Sequence, residues 1–262
     1  MSVTGCMDDG CGREIGAGGG GGEVMDACVP LDDPLYPPHE PVPWKRREVI
    51  GLATLFLGDC REIAPTLGRP AAVISDPPYG IDHGNGGGFS ASHGWRQTRE
   101  DVSWDRERPP AEWLAWMGGA AERVALWGGN YFADALPPTM GWLVWDKGQT
   151  DFSLADCELA WTNRKQALRR INLPRAVLVA EGGEHPTQKP VAVMRFTIDK
   201  LKVPAAGTIL DPYIGSGSTG VAAVQMRHPF VGIEIEPRYF DIACRRIAEA
   251  QRQGDMFRDA AS

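Results

Sequence analysis

The chain has six cysteines (Cys6, Cys11, Cys28, Cys60, Cys157 and Cys244), yet no two of them form a C-x-x-C pair. That spacing argues against a structural zinc module or a redox dithiol, and scattered thiols suit a reduced compartment. No metal is expected. Also missing is any apolar run near the roughly 20 residues that span a bilayer. The N-terminus opens on acids and glycines where a secretory signal would need a basic start and an apolar stretch. A cytoplasmic protein with no membrane partner is expected. An excess of basic residues is absent as well: 27 Lys and Arg face 34 Asp and Glu, for a formal charge of −7. This excludes a wholly basic nucleic-acid coat.

The acidity is local. Residues 1–43 hold eight acids against Arg13 alone, which is the whole of the formal −7, so the remaining chain is neutral. The same stretch is rich in glycine (Gly16, Gly18 to Gly22) and proline, with little apolar periodicity. Such a composition buries too little apolar surface to offset its ordering entropy. Residues 1–43 are therefore expected to be a disordered extension, and residues 44–262 one α/β domain.

Within that domain the apolar pattern alternates between strands and helices. Ala53 to Leu57, Ala71 to Ile74, Val124 to Trp127, Trp142 to Trp145, Leu159 to Trp161, Thr208 to Leu210 and Phe230 to Ile235 read as short buried strands. Helices are expected after Pro109-Pro110, through Trp113, Leu114, Met117, Ala120, Ala121 and Val124, and over Val191 to Leu201, Thr219 to Met226 and Tyr239 to Ala250. The order implies a doubly wound, mostly parallel sheet covered on both faces. Ile81 to Arg108, polar and glycine-rich, reads as a long mobile loop, of a length usually functional or disordered.

Two strand ends carry chemistry. The run Thr208 to Gly220 (T-I-L-D-P-Y-I-G-S-G-S-T-G) ends a strand in Asp211, turns through Gly215 and Gly217, and enters a helix. Ligands of open α/β sheets bind at this end of the strands. The next strand carries Glu234, placed to accept hydrogen bonds from ribose hydroxyls. No Gly-Lys-Ser/Thr follows, so a nucleotide triphosphate loop is absent. An acid at Asp211 suits a cationic cofactor without phosphate, and S-adenosylmethionine fits.

The second end is Ser75 to Gly80 (S-D-P-P-Y-G). An exocyclic amino nitrogen of a base is a poor nucleophile while its lone pair is delocalised. Acceptors for both N–H hydrogens draw it toward tetrahedral geometry. Asp76 supplies a carboxylate, Pro77 a carbonyl whose direction is fixed by its own ring and by Pro78, and Tyr79 an aromatic face for an extruded base. A plain polar turn is the bland alternative, since Asp and Pro are common turn formers.

Together with H-P-T-Q-K-P (His185 to Pro190) and L-G-D-C (Leu57 to Cys60), these stretches resemble the amino-group DNA methyltransferases of bacteria and phages. The likeness is to the circularly permuted class, in which the catalytic motif precedes the cofactor motif. It covers roughly residues 52–248 and implies a Rossmann-like S-adenosylmethionine-dependent methyltransferase of the restriction-modification kind. By that resemblance Asp76, Pro77, Pro78 and Tyr79 are catalytic, and Asp211, Tyr213, Gly215 and Gly217 line the cofactor site. Glu234 holds the ribose, Asp59 approaches the adenine, and Thr187 and Lys189 lie near the methionine carboxylate. The stretch from Trp145-Asp146-Lys147 to Glu158-Leu159-Ala160-Trp161-Thr162 is similar to phage-type members. Asp at position 76 favours adenine N6 as the target, with cytosine N4 the nearest alternative. RNA or a protein glutamine as substrate, and a non-catalytic DNA-binding protein with a retained cofactor fold, are the other readings.

Residues 161–175 hold Arg164, Lys165, Arg169, Arg170 and Arg175 without an acid. Phosphate contact with DNA is the natural use of such a cluster, and a solvated face is the alternative. So short a segment suggests a short target, recognition by a homodimer, or help from residues 81–108.

Overall fold

A computed structural model describes residues 42–81, 107–150, 155–174 and 188–259. Most of the acidic extension, most of the 81–108 loop, and Thr187 and Arg175 among the expected site residues lie outside the described residues.

The chain opens with a hairpin, β1 (Arg46–Ile50) and β2 (Ala53–Leu57), followed by a single turn of helix, α1 (Cys60–Ile63). Then come β3 (Ala72–Ser75), α2 (Ala111–Gly119), β4 (Arg123–Trp127), β5 (Leu143–Asp146), β6 (Cys157–Thr162) and β7 (Arg169–Asn172). The last third holds α3 (Val191–Leu201), β8 (Ile209–Asp211), α4 (Ser218–Gln225), β9 (Phe230–Glu234) and α5 (Pro237–Asp259). The strands form one sheet in the order β1-β2-β9-β8-β3-β4-β6-β5-β7. From β2 to β4 in that order every pairing is parallel, and antiparallel pairings appear only at β1–β2 and on both sides of β6.

The alternation of side chains along the strands explains the layers. In β3, Ala72 and Ile74 face one core and Val73 the other; in β4, Ala125 and Trp127 oppose Val124 and Leu126. The first core takes the apolar faces of α3, α4 and α5 through residues such as Ile198, Val221, Phe240 and Ile247. The second takes α1 and α2 through Ile63, Trp113, Leu114 and Met117. Each fully buried side chain of this size contributes about 1.5–3 kcal/mol of apolar burial. Burial on both faces is why these strands read as continuous apolar runs.

The expected strands and helices are all present among the described residues, with ends shifted by a few positions, most at the C-terminus of α5. The helical spacing projected to Val124 is corrected. α2 stops at Gly119, where Gly118-Gly119 weakens the helix, and Val124 belongs to β4. β1 and β7 were not expected; both are edge strands with charged side chains, which lack the apolar signature of the interior. Among the described residues no helix is long and apolar enough to cross a membrane. No group of three or more His, Cys, Asp and Glu among them is arranged to hold a metal ion.

Candidate active site

The strand order places a topological switch point between β3 and β8. From β8 the chain continues to one side, through α4 to β9; from β3 the next parallel strand, β4, lies on the other side. At such a point the loops diverge and leave a crevice beyond the strand ends. Asp76 follows β3 and Asp211 ends β8, so both acids stand at this crevice. Ser75 ties them together: its hydroxyl donates to Asp211 Oδ1 at 2.6 Å. Both acids line one cleft of about 310 Å³.

The cofactor half of the cleft is formed by Asp211, Tyr213, Gly215, Ser216, Ser218 and Glu234. Asp211 is buried, and burial pushes its carboxyl up to about 6 against hydrogen bonds from Ser75, Thr219 and the Tyr213 backbone N–H. Glu234 accepts from the backbone N–H of Gly215 at 2.9 Å, and from those of Ile235 at 3.0 Å and Glu236 at 2.9 Å. Burial pushes it up to about 7 against those donors. A carboxylate has about four lone-pair sites, so acceptor capacity remains for hydroxyl groups. A Cβ built at Gly215 meets no atom within 4 Å, so a side chain there would stand in open space. Gly217 caps α4 at φ 88°, a left-handed conformation that favours glycine. It supports the cleft from behind, since Ser216 and Ser218 rather than Gly217 line it.

Asp59 caps a helix beside the cleft lining. Its carboxylate caps α1 through the Arg61 backbone N–H at 2.9 Å and pairs with the Arg61 guanidinium at 2.6 Å. Arg61 holds it below its ordinary carboxylate value, and it does not line the cleft.

The catalytic half holds Asp76, Pro78, Gln188 and Lys189. Tyr79 donates its hydroxyl to Asp76 Oδ1 at 2.6 Å, and Lys189 Nζ donates to Asp76 Oδ2 at 2.6 Å and to the Tyr79 hydroxyl at 2.9 Å. Burial pushes the Asp76 carboxyl up, with Lys189 opposing. Lys189 is itself buried and also meets Glu158 Oε2 at 2.8 Å. Burial works against its charge, but Asp76 and Glu158 reverse that and raise its pKa. Its ammonium therefore meets two acids and a phenol, and Lys189 lines the cleft. The Tyr79 ring stacks on Tyr131 with centroids 4.8 Å apart and lies so close to Gly128 that a Cβ there would overlap it.

Four contributors carry no role in a reading of the sequence alone. Ser75 stands there only as the first residue of its run. Lys147 and Glu158 lie in a stretch that shows a family likeness without pointing to a function for either. Tyr131 follows a glycine pair that reads as a plain strand end.

The basic segment is less cationic in space than along the chain. Arg164 Nη1 lies 3.6 Å from Glu122, and Arg170 Nη1 lies 3.1 Å from Asp146. Lys165 and Arg169 are exposed.

With this geometry in place, a match to the DNA methylase family model of the N6/N4 type covers residues 143–245, from β5 into α5. Over that stretch the chain is similar to the N6/N4 DNA methylases. Among its relatives, YubD of Escherichia coli (strain K12), a putative methylase, is 28% identical over 219 residues, covering 77% of this chain and 92% of YubD. The Type II methyltransferase M.ScaI of Streptomyces caespitosus is 48% identical over 68 residues, 26% of this chain and 22% of that enzyme. The fold matches the crystal structure of the M1.HpyAVI–SAM complex with a TM-score of 0.51 and 23% identity, covering 74% of this chain and 99% of that one. The doubly wound, Rossmann-like architecture is thus shared with a solved methyltransferase fold.

Proposed function

We propose that this chain transfers the methyl group of S-adenosylmethionine to an exocyclic amino nitrogen of a base in DNA, with adenine N6 as the leading target. The observation that carries the reading is the shared cleft of Asp76 and Asp211, joined through Ser75 at the switch point.

The cofactor half fits S-adenosylmethionine in charge and shape. Asp211 and Glu234 bring negative potential where a sulfonium and an ammonium need it and a pyrophosphate would be repelled. Gly215 leaves its part of the cleft open, and Glu234 keeps acceptor capacity for ribose hydroxyls. Bound there, S-adenosylmethionine supplies an electrophilic methyl group. The order of the motifs, Asp76 before Asp211, agrees with a circularly permuted arrangement.

The chain's own residues prepare the nucleophile. The Asp76 carboxylate and the Pro77 carbonyl accept the two amino hydrogens, which localises the nitrogen lone pair, and Asp76 is the nearest base for the proton the amine must lose. Tyr79 offers its ring to the extruded base, at a cost of a few kcal/mol for unstacking. Lys165 and Arg169, exposed and with no ion pair among the described residues, are the cations for phosphate contact. Two copies acting on one site would extend so short a recognition segment.

The test is transfer of labelled methyl from S-adenosylmethionine to DNA of mixed sequence, followed by nucleoside analysis. Expected is N6-methyladenine, with Asp76→Ala abolishing transfer and leaving cofactor affinity within about threefold. N4-methylcytosine would reassign the target base. Cofactor binding with no methylated adenine or cytosine would overturn the proposal in favour of a non-catalytic DNA-binding role.

A further inference from the structure

Four buried or half-buried charges alternate in sign along a path that ends on Asp76. Lys147 Nζ lies 2.8 Å from Glu158 Oε1, Glu158 Oε2 lies 2.8 Å from Lys189 Nζ, and Lys189 Nζ lies 2.6 Å from Asp76 Oδ2. The side chains of Lys147 and Lys189 are only 5% and 4% exposed, and those of Glu158 and Asp76 21% and 18%. Four separate segments supply them: Lys147 follows β5, Glu158 sits in β6, Lys189 precedes α3 and Asp76 follows β3. Charges so far from water are tolerated only when paired, and each added pair needs good geometry to offset desolvation. A catalytic carboxylate needing one counterion would be served by Lys189 alone. Glu158 and Lys147 are a second, costly pair for which the amine-accepting site has no direct use.

We propose that Glu158 is a positioning residue: held by Lys147, it shares Lys189 with Asp76 and so sets how firmly the ammonium sits on the catalytic carboxylate. The catalytic consequence rests on the methyl-transfer reading; the charge coupling does not.

Both Asp76 oxygens are engaged, Oδ1 by Tyr79 and Oδ2 by Lys189. An incoming amino group competes with these donors for the carboxylate, and Lys189 is the charged one. Glu158 gives the ammonium a second anion to rest on, so Lys189 can leave Asp76 without becoming an unpaired buried cation. Lys147 limits this pull by satisfying the other Glu158 oxygen. Burial works against the Glu158 charge, yet Lys189 and Lys147 outweigh it and hold the carboxyl down at about 2, so it stays an anion at neutral pH. The other titratable groups facing Asp76 are Tyr79, itself stacked on Tyr131, and Asp211 across the cleft. The Glu158 charge also acts on the Tyr79 phenol, which it helps to keep protonated.

The coupling makes two substitutions act in opposite directions. Glu158→Gln leaves Lys189 wholly to Asp76, which stabilises the carboxylate and moves its titration midpoint down. Lys147→Met leaves Glu158 uncompensated, which draws Lys189 away and adds negative charge near Asp76, moving the midpoint up. The experiment follows the Asp76 carboxyl carbon by NMR in full-length protein labelled at aspartate, assigned with Asp76→Asn, for wild type and both variants. The pH–rate profile of methyl transfer is measured alongside. Because Asp76 must be ionised to accept the amine, the rate rises with pH through its midpoint. The acidic limb therefore moves to lower pH in Glu158→Gln and to higher pH in Lys147→Met. Glu158→Gln also loses about tenfold in kcat while S-adenosylmethionine affinity stays within about threefold.

Midpoints that do not move, or that move the same way in both variants, overturn the proposal. If Glu158→Gln gives no cooperative thermal transition, Lys147→Met against Lys147→Arg carries the test: the methionine raises the midpoint and the arginine leaves it near wild type, and equal midpoints overturn it. Opposed NMR midpoints in a protein that methylates no DNA would reject the methyl-transfer reading and keep the coupling. Normal transfer with unmoved midpoints would do the reverse.

Discussion

Tyr79 is held between two neighbours of different kinds. Tyr131 stacks on it, and the Gly128 backbone approaches it where no side chain fits. Gly128 has φ 75°, so a larger residue there meets both backbone strain and the tyrosine ring. Gly128→Ala should push Tyr79 off Asp76 and cut methyl transfer by about tenfold or more, with a stability loss of about 1–3 kcal/mol. Titration with S-adenosylmethionine checks the assignment, since affinity should stay near wild type. Unchanged kcat would remove Tyr79 from the proposed base pocket. The residue scale also shows where sequence reasoning stops. S-D-P-P-Y-G was legible because its acceptors are consecutive, whereas Glu158 and Lys147 stand 82 and 71 positions from Asp76 and meet it only through the sheet pairing. At Asp59 the pairing is local: its neighbour two residues on, Arg61, claims its carboxylate.

At the scale of elements, interior strands announced themselves and edge strands did not. β3, β4 and β8 are buried on both faces and read as apolar runs, while R-R-E-V-I in β1 and R-R-I-N in β7 carry charges that natural sheet edges use to discourage further pairing. β7 therefore has two jobs to reconcile, closing an edge and presenting cations. Arg170 leans on Asp146 and Arg164 on Glu122, which leaves Lys165 and Arg169 as the exposed cations with no ion pair among the described residues. Lys165→Gln with Arg169→Gln should weaken DNA binding and flatten the slope of log affinity against log salt by about 1.8, near 0.9 for each phosphate that is no longer neutralised. Fluorescence anisotropy across a salt series reads this directly. A slope equal to wild type would make the segment an ordinary solvated edge.

For the whole molecule, the balance of charge in the cleft predicts how pH acts on ligand binding. Burial raises Asp211 to about 6 and Glu234 to about 7, so in the free protein both lose protons between pH 5 and pH 8. Folded-state values above the ordinary 3.8 and 4.5 mean that their share of stability is present at low pH and is lost as pH rises through 6 to 7. A cationic ligand favours the ionised forms. Affinity for S-adenosylmethionine should therefore strengthen from pH 5 to pH 8, while the uncharged thioether S-adenosylhomocysteine gains less. Calorimetric titration at the two pH values tests this, and equal gains for both ligands would mean that the acids do not sense the sulfonium.

The strand order has a consequence for how the chain is made. β8 and β9, from residues 209–234, are the strands that join β2 to β3, so the middle of the sheet is synthesised after both of its flanks. Until they leave the ribosome, β2 and β3 lack the strands that pair with their inner edges in the fold. Closure waits for the final third of the chain, and the two acids that share the cleft, 135 positions apart, meet only then.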